Sequence, residues 1–289
     1  MRPTRHIIFL LLAASLFSCK KTDTLNSDIT VAAKTILNVA YGTDAKQVMD
    51  IYLPAGRRAD STKVMVMIHG GAWASGDKSD FAAAVDTLKK RLPDYAIFNI
   101  NYRLSDGTNN IFPTQEIDVK TAVRYIYGKA SDYQVSTKFV LMGASAGGHL
   151  AMLQGYKDSV PVKPKAIVSF FGPSDMMEMY FNPVGGNPLL AAGVAQAVGR
   201  TPFADPQIYI SSSPVNFING GSAPTILLHG GLDPLVQPSQ SIAVQTRLSF
   251  FNITNQYVFY PTGGHGDWNA TTYTDAFNKI QAFLTANVH

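Results

Sequence analysis

The stretch Gly143-Ala144-Ser145-Ala146-Gly147 constrains this chain more than any other. It follows the apolar run Lys138-Phe139-Val140-Leu141-Met142 and leads into Gly148-His149-Leu150-Ala151-Met152-Leu153, which reads as a helix. A strand that turns sharply at a serine and continues as a helix strains the backbone of that serine. Its neighbours must then be small enough for strand and helix to approach each other. Gly143, Ala144, Ala146 and Gly147 meet that demand. The turn also puts Ser145 at a helix N-terminus, where partial positive charge favours developing negative charge. A Gly-Ser loop of this spacing also arises by chance. The strand before and the helix after are what mark Ser145 as a candidate nucleophile.

Further segments bear on the same chemistry. Lys63-Val64-Met65-Val66-Met67-Ile68 reads as a buried strand and runs straight into His69-Gly70-Gly71-Ala72-Trp73. Ala223-Pro224-Thr225-Ile226-Leu227-Leu228-His229 reads as another, ending in Gly230-Gly231-Leu232-Asp233-Pro234-Leu235-Val236. Asp233 follows that strand, and Asp175 follows the preceding one in Phe171-Gly172-Pro173-Ser174-Asp175. Asp-Pro turns are common in any loop, so the residues alone leave both acids open. The chain has six histidines. His6 lies in the N-terminal segment and His289 is terminal, while His69 belongs to the glycine segment. His149 sits one turn into the helix after Ser145, as packing, and His229 ends a strand. That leaves His265, in Gly263-Gly264-His265-Gly266 after the last predicted strand, Gln256 to Tyr260. Its flanking glycines let the loop fold over toward Ser145.

The His69 to Trp73 segment resembles the HGGG or HGGxW segment of hormone-sensitive-lipase-like and related esterases of the α/β-hydrolase family. The resemblance covers nearly all of residues 36–287. It implies that the N–H groups of Gly71 and Ala72, joined by that of Ala146, hold a developing oxyanion, with the pair inside Gly70 to Ala72 left open. It implies a triad carboxylate on the loop after the penultimate strand, which favours Asp233 over Asp175. The order Ser145, Asp233, His265 is that of the family. Within the superfamily the run His69 to Lys78, with Tyr102-Arg103-Leu104 and Phe112-Pro113-Thr114-Gln115, is similar to small carboxylesterases related to acetylxylan and feruloyl esterases. Ala72 stands where many members carry a third glycine; alanine keeps the N–H and narrows the pocket. Trp73 either lines the acyl site or anchors packing.

Arg2 and Arg5 precede an apolar run from Ile7 to Phe17, too short to span a bilayer as a mature helix. It ends in Leu16-Phe17-Ser18-Cys19, which looks like the lipobox of a bacterial lipoprotein, with ordinary secretion as the alternative. Cys19 is the only cysteine, so no intrachain disulfide exists, and lipidation explains its position better than redox chemistry. The expected organisation is a signal peptide over 1–18, a tether over 19–35 and a catalytic domain over 36–289. The protein would then be exported and held at a membrane through Cys19, on the periplasmic or cell-surface side. Without residues 1–18 the chain carries 22 basic and 20 acidic residues, a net of +2. The basic residues are scattered, which argues against a nucleic-acid partner. The expected catalytic domain, about 255 residues over 36–289, is long enough for one well-buried core.

Short apolar runs alternating with helices predict an α/β fold: a mostly parallel sheet with helices on both faces and its catalytic loops at one edge. Thr35 to Tyr41 and Val48 to Leu53 read as edge strands. Tyr95 to Asn101 and Lys165 to Phe171 read as inner ones, and Asp80 to Arg91 and Gln115 to Tyr127 as helices. Residues 176–218, rich in Met, aromatic, Pro and Gly residues, interrupt the alternation as a lid over an acyl pocket or a core-packed connection. Asp118, Lys120 and Arg124 read as solvated charge or as an ion pair holding a loop.

These features predict two-step acyl transfer on a small-molecule or glycan ester. His265 takes the Ser145 proton, Asp233 stabilises the imidazolium, and neither metal nor organic cofactor is called for. The substrates implied are short acyl esters, including acetyl or feruloyl esters of plant polysaccharide. An amide hydrolase is the runner-up, a small peptidase or a formamidase, since HGGxW also resembles kynurenine formamidases. A non-catalytic binding protein on a hydrolase scaffold is the alternative of a different class.

Overall fold

The computed structural model describes Met1, residues 31–158 and residues 160–289. Cys19, the rest of the expected signal peptide and the tether up to residue 30 lie outside the described residues. From Val31 to His289 the chain forms one unit. Its strands are β1 (Lys34–Ala40), β2 (Val48–Leu53), β3 (Lys63–Ile68), β4 (Tyr95–Ile100), β5 (Phe139–Ala144), β6 (Ala166–Phe170), β7 (Thr225–Gly230) and β8 (Asn255–Tyr260). They form one eight-stranded sheet in the order β1-β2-β4-β3-β5-β6-β7-β8. The β1–β2 and β2–β4 pairs are antiparallel and all the others parallel.

The order follows from burial. β3 to β7 are apolar almost throughout and buried on both faces, as inner strands of a parallel sheet must be. β1 is mostly exposed and takes one edge, while β8 takes the other. Alternate residues of each inner strand feed two cores. Val64, Val66 and Ile68 of β3 pack with α2 (Thr114–Gly128), α4 (Ala146–Tyr156) and α8 (Ser239–Phe250) on one face. Met65 and Met67 pack with α1 (Ala82–Arg91) and α9 (Ala270–Asn287) on the other. The expected mixed, mostly parallel sheet with helices on both faces is what the chain forms. β5 runs on to Ala144, past the apolar run, because Gly143 and Ala144 pair with Ser169 and Phe170 of β6. A 3-10 turn, Lys78–Phe81, capped by the Asp77 side chain, precedes α1.

The tightest crossing lies where β5 becomes α4. All eleven residues of α4 are buried. A Cβ on Gly147 would sit 1.9 Å from the Ile68 carbonyl oxygen, and one on Gly143 would sit 2.2 Å from the Gly147 carbonyl oxygen. The small residues around Ser145 are therefore required by backbone meeting backbone.

The loop from Asn101 to Pro113 is held by Asp118, whose side chain is fully buried. It accepts from the Arg103 backbone at 2.9 Å, from the Arg103 guanidinium at 2.6 Å and from Gln47 Nε2 at 2.7 Å. Of the two readings of Asp118, the structure selects the ion pair. Lys120 pairs with Asp158, and Arg124 is exposed.

Gly147→Ala drives a methyl group into backbone that cannot yield, so its stability loss should reach or exceed the upper end of the ~1–3 kcal/mol usual for overpacking. Gly128→Ala, with nothing within 4 Å of its Cβ, should be neutral or stabilise by up to about 1 kcal/mol. Denaturant unfolding of both variants measures the contrast.

Candidate active site

Ser145 sits between β5 and α4 with φ 54° and ψ −124°, outside any regular element. Its N–H donates to the Phe170 carbonyl at 2.9 Å, and its own carbonyl accepts from His149 N at 3.0 Å. The backbone is fixed on both sides, which leaves the hydroxyl proud of the sheet edge. His265 Nε2 lies 2.9 Å from Ser145 Oγ, and His265 Nδ1 lies 2.7 Å from Asp233 Oδ2. A carboxylate only accepts, so Nδ1 carries the proton and Nε2 is free to accept from the serine hydroxyl.

Asp233 is 4% exposed. Its Oδ1 accepts from the N–H groups of Leu235 at 2.8 Å and Val236 at 2.9 Å. Behind it stands His229, with Nε2 2.9 Å from the Val236 carbonyl and 3.4 Å from Asp233 Oδ2, and Nδ1 2.7 Å from Ser241 Oγ. Burial alone would raise the Asp233 carboxyl. The hydrogen bonds from His229 and His265 and the Val236 amide outweigh it and hold the group well below the usual carboxylate range. Asp175, the rival acid, caps α5 (Met176–Phe181) by accepting from Glu178 N at 2.9 Å. The structure brings Asp233 to His265 and leaves Asp175 as a cap. In the sequence His229 shows only as a strand end; its four-residue spacing from Asp233 is the signal that marks it.

The His265 loop is pinned at its base by Trp268 Nε1, which donates to the Gly264 carbonyl at 2.9 Å, and by Tyr273 Oη, which donates to the Gly266 carbonyl at 2.6 Å. Phe171 backs the imidazole at 4.5 Å between ring centroids. Gly266 needs its φ of 89° to turn the chain there.

The segment after β3 lies beside Ser145. Gly71, Ala72 and Trp73 have φ values of 106°, 50° and 61°, so three successive residues occupy the left-handed region. Among the described residues, the N–H groups of Gly71, Ala72 and Ala146 have no hydrogen-bond partner. His69 braces the segment from behind: its Nδ1 donates to the Gly70 carbonyl at 2.7 Å, and its ring stacks on Tyr102 at 4.3 Å. Tyr102 Oη donates to the carbonyls of His69 and Gly70 at 3.1 and 3.2 Å. Burial lowers the His69 pKa against the pull of the Gly70 carbonyl, which favours the neutral ring.

Ser145, His265, Gly71 and Ala72 open onto one cavity of about 670 Å³. The chain between β6 and β7 builds one wall through Met179 of α5 and through Leu189, Leu190 and Val194 of α6 (Pro188–Val198). Phe81, Trp73 and Leu235 supply other walls; among the described residues Asp80 is the one carboxylate at its lining, and no lysine or arginine lines it. The mouth is apolar too, since Leu189 and Leu235 are 76% and 43% exposed. Among the described residues, no group of three or more His, Cys, Asp or Glu side chains could hold a metal ion. The arrangement supplies a hydroxyl on a base, a buried carboxylate behind that base, and unpaired N–H donors in a largely apolar cavity.

Esterase LipC of Mycobacterium tuberculosis is 24% identical over 245 residues, 79% of this chain and 59% of that protein. The acetylxylan esterase of Xylanibacter ruminicola is 25% identical over 239 residues, 81% of this chain and 46% of that protein. The chain thus spans about half the length of the curated relatives it matches. The solved bifunctional GH43-CE protein of Bacteroides eggerthii superposes with a TM-score of 0.72 at 26% identity, covering 86% of this chain and 38% of that one. The BD-FAE family model matches residues 49–248, from β2 through the Ser145 turn and the Asp233 loop to the end of α8. An α/β-hydrolase sheet and a family match over most of its length together make this chain a member of the BD-FAE family.

Proposed function

We propose that the chain is a serine carboxylesterase acting on short-chain acyl esters, with acetyl or feruloyl esters of plant polysaccharide as its natural class. The observation that carries the proposal is the hydrogen-bonded run Ser145 Oγ–His265–Asp233, at 2.9 and 2.7 Å, beside unpaired backbone N–H groups. His265 takes the hydroxyl proton as Ser145 attacks the ester carbonyl. The N–H groups of Gly71, Ala72 and Ala146 receive the oxyanion, and the buried Asp233 carboxylate stabilises the imidazolium. The imidazolium returns its proton to the departing alcohol. Water then attacks the acyl-enzyme by the same route in reverse.

Preorganised donors in a water-poor site do most of this work; losing one typically costs about 3–4 kcal/mol of barrier. A cavity of about 670 Å³ has room for an acyl group and one sugar ring, and a largely apolar lining, with Asp80 and no lysine or arginine among the described residues, suits a neutral rather than an anionic ester. The names of the acetylxylan esterase and the GH43-CE protein support a carbohydrate ester as substrate. Export as a lipoprotein anchored through Cys19 would set such an enzyme beside polymeric substrate outside the cell.

A ladder of p-nitrophenyl esters from acetate upward should give rates that peak at short acyl groups and fall about 10⁴- to 10⁶-fold in Ser145→Ala or His265→Ala. Hydrolysis of anilides but not esters would instead indicate an amidase. Equal rates in wild type and Ser145→Ala would remove Ser145 from the mechanism.

Asp233 also makes stability depend on pH. Its folded pKa lies below the unfolded value, about 3.9 for a free aspartate, so its contribution is fully present above that value and is lost as pH falls through the folded one. The stability difference between wild type and Asp233→Asn should therefore shrink as pH is lowered from about 5 toward 2. Urea unfolding across that range measures it.

A further inference from the structure

The donor loop after β3 holds a backbone that its own residues do not favour. Gly71 adopts φ 106° freely, but Ala72 and Trp73 follow at 50° and 61°. Two successive side-chain-bearing residues stay in the left-handed region only where the surroundings fix them. Here the fixed point is the Trp73 side chain, which is 2% exposed.

Trp73 Nε1 donates to His149 Nδ1 at 3.2 Å, and His149 Nε2 lies 2.7 Å from the Ser212 carbonyl oxygen. An indole N–H can only donate and a carbonyl can only accept, so Nδ1 is the acceptor and Nε2 bears the proton. Both nitrogens of a neutral imidazole are thereby used. Burial keeps the ring neutral, pushing its pKa down to about 4 against the pull of the Ser212 carbonyl. Phe112 closes the cluster with edge contacts to Trp73 at 5.9 Å and to His149 at 5.5 Å.

Three parts of the site meet at this one ring. Trp73 belongs to the donor loop. His149 stands one turn along the helix that begins at Ser145, and its N–H donates to the Ser145 carbonyl at 3.0 Å. Ser212 follows α7 (Pro206–Ser211), in the chain between β6 and β7 that also supplies a cavity wall. His149 itself is fully buried and does not line the cavity.

We propose that His149 is a positioning residue: by joining Trp73 to Ser212 it sets the Gly71 and Ala72 N–H groups at their working distance from Ser145 Oγ. The transition state then depends on a side chain that never touches substrate. The proposal rests on the serine-esterase reading above. It separates His149 from an ordinary core residue, whose loss lowers stability but leaves the folded protein as active as before.

The test uses Trp73→Phe, which keeps the ring and loses the donor, His149→Leu, which loses both partners, and His149→Gln, whose amide can accept from Trp73 and donate to Ser212. Each is assayed on p-nitrophenyl acetate and for the rate at which a fluorophosphonate labels Ser145, well below its melting temperature. Trp73→Phe and His149→Leu should lower kcat and the labelling rate together by roughly 10- to 100-fold, with KM within about twofold. His149→Gln should recover most of the loss. Wild-type kcat and labelling in folded Trp73→Phe and His149→Leu would overturn the proposal, and so would a loss confined to KM. If His149→Leu does not fold, Trp73→Phe decides alone. If wild type hydrolyses no ester, the esterase reading falls while the labelling rates still decide the role of His149. Failure of wild type to label at Ser145 would overturn both.

Discussion

The site depends on the approach of two backbones where β5 turns into α4 beside the end of β3. Gly147 packs against the Ile68 carbonyl so closely that a Cβ would lie 1.9 Å from its oxygen. On the other side, a Cβ on Gly70 would lie 3.0 Å from the Ala144 carbonyl oxygen and 3.3 Å from Ser145 Cβ. Ile68 ends the strand that feeds the donor loop, so one contact fixes the serine turn and the donor loop relative to each other. The separation between a nucleophile and its oxyanion donors must be held to within a fraction of an ångström. Rigid backbone against rigid backbone, with glycine at each contact, is the stiffest way to hold it.

Electrostatics follow from that geometry. α4 points its N-terminus at Ser145, so the Ala146 N–H and the helix dipole favour negative charge beside the serine hydroxyl, where the proposed reaction develops it. At the far end of the hydrogen-bonded run, Asp233 keeps its charge in a buried position because two amides and two imidazoles face it. The largely apolar cavity between them strengthens both effects, since charge is poorly screened there. In the proposed reaction, negative charge would thus be stabilised at each end of the Ser145–His265–Asp233 run while the histidine between them takes up the proton.

Much of this architecture was legible in the sequence because its signals are local. β3 to β7 announce themselves as apolar runs, and Ser145, Asp233 and His265 each stand on a loop directly after such a run. Gly143 and Gly147 were readable as a steric need of the turn. What the sequence did not reveal is carried by contacts between distant segments. The Asp118–Arg103 pair fixes a loop, but Asp118 looks like any other charge on a helix until the fold buries it. His149 looked like packing because nothing in a one-dimensional pattern says that Trp73, 76 residues earlier, offers it an N–H. The residues alone left Asp233 and Asp175 open and the family resemblance favoured Asp233; the geometry agrees, with one facing an imidazole and the other capping a helix.

The central claim is that Ser145 is the nucleophile and is activated through His265. Its most direct test is peptide mapping by mass spectrometry after treatment with a fluorophosphonate, on wild type and on His265→Ala. The account predicts a single modified residue, Ser145, in wild type and little or no modification in His265→Ala under the same conditions. Modification of another residue, or equal modification of Ser145 in both proteins, would contradict it.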